Sequence, residues 1–181
     1  MPRQVFVFDN PERFVAGTVG QPGDRTFFLQ VRDGVRLVSV AMEKGQISAL
    51  AERVETLLSE VRSTAGIPTG GAGEDVAPLD TPLDEEFRVG TLALGWDTED
   101  ELVVLEAQAL SETPAEPMSD EPEGPDVLRV RMSAGVAESF ARRAHRVVAA
   151  GRPPCPLCGL PLDPEGHICP KQNGHRRGAA V

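Results

Sequence analysis

The chain has 181 residues, 40% of them hydrophobic, and a formal net charge of −10. That length suits one domain of ordinary size with a small appendage. The apolar run Val5–Phe8 is too short before Asp9 for a secretory signal and no stretch approaches a membrane span, so the reading is a cytoplasmic protein without a membrane partner.

Strand-like runs rich in Val, Phe and Thr come first, at Val5–Phe8, Phe14–Val19, Thr26–Val31 and Leu37–Met42. Ile47, Leu50, Val54, Leu57, Leu58 and Val61 then form one apolar stripe and predict an amphipathic helix of about four turns. Residues 64–83, with Gly70, Gly71 and Gly73, read as a flexible linker.

A second copy of the pattern follows. Phe87–Leu92 matches Phe14–Val19 and Val103–Glu106 matches Phe27–Gln30, while at an offset of ninety residues Val40, Met42, Gly45, Ala51 and Arg53 meet Val130, Met132, Gly135, Ala141 and Arg143. Apolar positions fall on apolar positions, which suggests an internal duplication. Trp96, after Gly95, reads as a half-buried edge residue at a strand end. The acidic, Pro-bearing stretch 111–126 interrupts the second copy and reads as a disordered insertion.

Charge is polarised along the chain. Residues 1–73 balance eight acids with eight bases, 74–126 hold seventeen acids and Arg88, and 127–181 hold nine bases against Glu138, Asp163 and Glu165. Only the last block suits a polyanion. With no Tyr and one Trp, however, base-stacking parts are few, so a nucleic acid would be met mainly through its phosphates.

After Gly151 comes the sequence that carries chemistry. Cys155-Pro156-Leu157-Cys158-Gly159 places two sulfurs on one turn, and His167 and Cys169 can aim at the same point from an extended segment. Cys155, Cys158, His167 and Cys169 make a closed Cys3His set, which points to structural zinc; His175 competes with His167 for the fourth position. Prolines 153, 154, 156, 161 and 164 deny the helix that a redox Cys-x-x-Cys needs, and three cysteines leave one unpaired in any disulfide scheme.

Catalytic sets are not recognisable elsewhere. His145 is the one body histidine and lies among Arg142, Arg143 and Arg146, and no phosphate-cradling Gly-x-x-x-x-Gly-Lys motif is present. The alternative is an enzyme or ligand-binding protein with a pocket at the seam between the units, for which Asp9, Arg13 and Arg53 are the candidate residues.

The opening Pro2–Phe8, the run Arg25–Gln30 and the closing Cys155–Gly159 through His167–Pro170 together resemble domain-of-unknown-function family 3090, an uncharacterised actinobacterial family of about this length. The resemblance implies no established activity.

The expected fold class is α+β: two duplicated βββα units forming mostly antiparallel sheet with two helices, plus a C-terminal zinc-knuckle, ribbon-like segment. The units occupy 1–63 and 84–151 and the knuckle with its basic tail 152–181. The expected function is a zinc-binding, non-enzymatic interaction or adaptor protein that meets a protein or nucleic-acid partner through its basic C-terminal region.

Overall fold

Alternating apolar side chains give seven strands one common buried face, on which two helices lie. The computed structural model describes residues 2–68, 73–162 and 166–171. In chain order the elements are β1 (Val5–Asp9), β2 (Arg13–Gln21), β3 (Asp24–Asp33), β4 (Arg36–Met42), α1 (Lys44–Ala65), β5 (Glu85–Asp97), β6 (Leu102–Ala109), β7 (Val127–Met132) and α2 (Ala134–Ala149). They build one mostly antiparallel sheet, ordered β1-β7-β6-β5-β4-β3-β2. The parallel neighbours are β4 with β5, joined through α1, and β1 with β7. The fold is thus α+β.

One core serves the whole sheet. Phe27, Leu29 and Val31 of β3, Val38 and Val40 of β4, Leu105 of β6 and Leu128 and Val130 of β7 meet Ile47, Leu50, Val54 and Leu58 of α1 and Phe140, Ala141 and Ala144 of α2. α1 runs about two turns longer than its apolar stripe suggests, to a cap at Gly66. α2 begins at Ser133, whose Oγ accepts the Val136 N–H.

The two three-stranded segments pair in matching register. Phe27, Leu29 and Gln30 stand opposite Met42, Val40 and Ser39, as Val103, Leu105 and Glu106 stand opposite Met132, Val130 and Arg129. The first strands match differently from the sequence expectation. Phe14 lies opposite Val31 and Leu92 opposite Ala107, so Leu92, not Phe87, holds the place of Phe14. The shift arises because β5 extends backwards to pair with β4, with a bulge between Val89 and Thr91. Gly17 and Gly90 accordingly serve different contacts: a Cβ would meet the Leu79 side chain at 2.5 Å from Gly17 and the Leu110 backbone at 2.8 Å from Gly90. Trp96 is half-buried near a strand end, as expected, but not at a sheet edge. It lies on an interior strand opposite Val103, partly buried against the core.

Two segments expected to be free are fastened to the sheet's outer face. Of the linker, residues 73–83 start beside α2, where Ser139 Oγ donates to Gly73 O and Arg143 Nη1 to Asp75 Oδ1 at 2.8 Å each. They then pass the edge strand β2 and end over Gln30, whose side chain exchanges hydrogen bonds with the Asp80 backbone. The acidic insertion 111–126 is likewise docked. Glu106, fully buried, accepts the Met118 N–H, and Arg129 reaches Asp120 Oδ1 at 2.9 Å. Composition marked both as loops; distant polar partners hold them in place.

Candidate metal centre

Pro153–Leu162 forms a small turn closed by its own backbone. Leu162 N–H donates to Pro153 O and Cys155 N–H to Leu160 O, while Gly159 N–H returns to Cys155 O at 2.8 Å. Gly159 adopts φ +75°, a conformation open to glycine at no steric cost. Prolines at 153, 154, 156 and 161 stiffen the turn and keep it from becoming helical.

The turn brings Cys155 and Cys158 round to face His167 and Cys169. Cys155 Sγ lies 3.9 Å from Cys169 Sγ and Cys158 Sγ lies 3.2 Å from His167 Nε2. All four ligand atoms fall within 4.8 Å of one another and could hold a metal ion. No disulfide links the cysteines. Cys155 and Cys169 are buried, Cys158 and His167 half-buried.

Local dipoles already favour a thiolate. Backbone N–H groups of Cys158 and Leu157 lower the Cys155 thiol, with Leu157 N at 3.4 Å from its sulfur. Burial pushes Cys158 the other way, as it does any thiol without a compensating cation. His167 Nδ1 is buried and, among the described residues, has no hydrogen-bond partner. His175, the competing fourth ligand, lies outside the described residues.

The family comparison decides membership: a model described as "Protein of unknown function (DUF3090)" matches residues 6–169. The chain belongs to the DUF3090 family. The matched span takes in all four clustered residues. No curated protein and no solved structure matches this DUF3090 chain, so no activity is carried over from a relative.

The seam candidates do not converge. Asp9 ends β1 on one edge of the sheet and faces Arg131 at 3.6 Å, while Arg13 begins β2 on the opposite edge and is engaged by Asp75 and Asp80. Arg53 lines a cavity of about 130 Å³ between α1 and β5 with Leu50, Leu92 and Leu94. That volume is well below the roughly 300–1,000 Å³ of ordinary ligand pockets.

From Arg129 to Arg146 the arginines of the basic block are paired with acids of the fold, Asp120 of the acidic insertion among them. Arg129 meets Glu106 and Asp120, Arg131 meets Asp97 and Asp100, Arg142 meets Glu138, Arg143 meets Asp75 and Arg146 meets Glu74. Hydrogen bonds from the Asp100 and Glu99 N–H groups and from Arg131 hold the Asp97 carboxyl below its usual range. The available signal was the sign reversal between residues 74–126 and 127–181. Among the described residues, no helix is long and apolar enough to cross a membrane.

Proposed function

We propose that this protein is a non-catalytic interaction module whose C-terminal knuckle is held by structural zinc. The observation that carries the reading is the closed Cys3His cluster: three soft thiolates and an imidazole suit zinc, and four protein ligands leave no position for water or substrate. The 3.9 Å between Cys155 and Cys169 sulfurs fits the roughly 3.8 Å edge of a tetrahedron with zinc–sulfur bonds of about 2.3 Å. Reduced, metal-bound thiolates suit the cytoplasm.

The partner is a protein bound at the C-terminal region. The body arginines of the basic block already face acids within the fold, which argues against a nucleic-acid surface there. The knuckle instead exposes Leu157, Leu160 and Ile168, the last 84% exposed. Descent of the two βββα segments from one duplicated unit is supported by the matched register of β3–β4 with β6–β7.

Zinc content of the purified chain is the test. About one equivalent is expected, with loss in Cys155→Ser and Cys169→Ser, and less than about half an equivalent in the unmutated chain defeats the site. Cobalt substitution tests closure. A tetrahedral thiolate-rich spectrum that added small anions leave unchanged is expected, whereas an anion-dependent spectrum reveals an open position and defeats the non-catalytic reading.

A further inference from the structure

The matching register of the two three-stranded segments gives each groove between a helix and a strand a counterpart. Phe14, Ala16 and Gly17 of β2 correspond to Leu92, Leu94 and Gly95 of β5. Met42 corresponds to Met132, and counting equally far along the helix that follows each sets Arg53 of α1 against Arg143 of α2. From Leu92 on, β5 pairs with β6 alone, as β2 does with β3, and α1 lies beside it as α2 lies beside β2.

One groove is filled by the chain itself. Arg143 Nε donates to Ala16 O at 2.7 Å and its Nη1 to Asp75 Oδ1 at 2.8 Å, and four residues further on Leu79 takes up the space over Gly17, 2.5 Å from a Cβ placed there. Beneath that segment Phe14, Val15 and Ala16 are 4%, 2% and 0% exposed. The other groove is open. Leu92, Ala93 and Leu94 are only half-buried, a Cβ at Gly95 would meet nothing within 4 Å, and Arg53 is exposed, with no hydrogen bond or ion pair among the described residues. The cavity of about 130 Å³ that Arg53 and Leu50 line with β5 is close to the roughly 150 Å³ that holds one benzene-sized group.

We propose that the groove between α1 and β5 docks an extended segment of a partner protein that carries an acidic residue four places before a leucine, as residues 75–79 do in the filled groove. Arg53 takes the carboxylate in the role Arg143 has toward Asp75, and the leucine settles over Gly95 as Leu79 does over Gly17. One acid suffices. Arg13 and Arg146, which hold Asp80 and Glu74 in the filled groove, have Thr91 and Thr56 as counterparts. The segment is also short, because Glu106, the counterpart of Gln30, already lies under Met118 of the insertion. The groove shares no residue with the knuckle.

The probe is a synthetic peptide of residues 74–80 with Glu74→Gln and Asp80→Asn, which leaves Asp75 and Leu79 as its acid and its aliphatic anchor. It is titrated into the full chain by NMR, with the Arg53, Ala93 and Gly95 amides reporting the open groove and the Gly17 amide the filled one. Saturable shifts are expected at the first three and none at Gly17. Arg53→Gln, an exposed change that leaves the fold intact, should weaken binding about tenfold or more, as should Asp75→Asn or Leu79→Ala in the peptide. The docking site is overturned if no saturable shift appears in the millimolar range, if the shifts centre on Gly17, or if Arg53→Gln binds as tightly as the unmutated chain. Shifts of the same amides on concentrating the chain alone, lost in Arg53→Gln, identify a second copy as the occupant and overturn the partner.

Discussion

Arg13, weighed at first as a ligand-site residue, is a fastening point. Its guanidinium donates to both Asp75 oxygens, to Asp80 Oδ2 and to the carbonyls of Ala77 and Pro78. The side chain is 9% exposed while its acidic partners are about a third exposed, so solvent screens part of the pairing. Arg13→Ala should therefore cost about 2 kcal/mol, less than the 3–5 of a fully buried pair, in urea denaturation. Hydrogen bonding from Arg13 holds the Asp75 and Asp80 carboxyls below their usual range. A carboxylate so lowered binds fewer protons folded than unfolded, so its stabilisation is complete above an unfolded value near 4 and drains away as pH falls through the lower folded value. Asp75→Asn should consequently weaken the protein near pH 7 and narrow its deficit toward about pH 2, read as unfolding free energy against pH. An unchanged deficit across that range would contradict the assignment.

At the scale of elements, the two fastened loops occupy matching places. Gln30 and Ser39 form a buried polar pair beneath the Asp80 backbone, and Glu106 and Arg129, at the same register positions, lie beneath Met118 and Asp120. Each loop thus satisfies polar groups that the sheet places on its outer face. Replacing 111–126 by a short turn removes the backbone donor of Glu106 and one partner of Arg129, and should cost about 2–4 kcal/mol at roughly 1–3 per stranded buried group. An unchanged denaturation midpoint would show that the insertion carries no such contact. The strands and helices were legible because periods of two and 3.6 are local, and so was the closeness of the three cysteines and His167, which lie within fifteen residues of sequence. The loops were not. Asp75 meets Arg13 and Arg143 across more than sixty residues, and acidic or glycine-rich composition carries no trace of such partners. The backward extension of β5 was hidden for the same reason, since its parallel pairing to β4 is made around a whole helix.

For the molecule as a whole, the core and the knuckle are separate sources of order. The core cluster draws on strands and on both helices but on nothing beyond α2, whereas the buried Cys155 and Cys169 stand outside it with their sulfurs 3.9 Å apart. Stripping the metal with a chelator should therefore abolish exchange protection of the Cys155, Gly159 and Leu162 amides while leaving the far-ultraviolet dichroism and the main thermal transition nearly unchanged. Loss of the main transition on chelation would mean that the body depends on the knuckle. The N-terminal strand adds a matter of timing. Val5 pairs with Val127 and Asp9 with Arg131, so β1, the first of the described strands, has its partner in the last of them. Synthesis proceeds from the N-terminus, and β2 through α1 meet their hairpin partners as they emerge, yet β1 must wait with its backbone unpaired until β7 is released. Its docking completes the sheet only after β7 is made, and a ribosome stalled before Val127 holds a chain in which β1 has no strand to pair with.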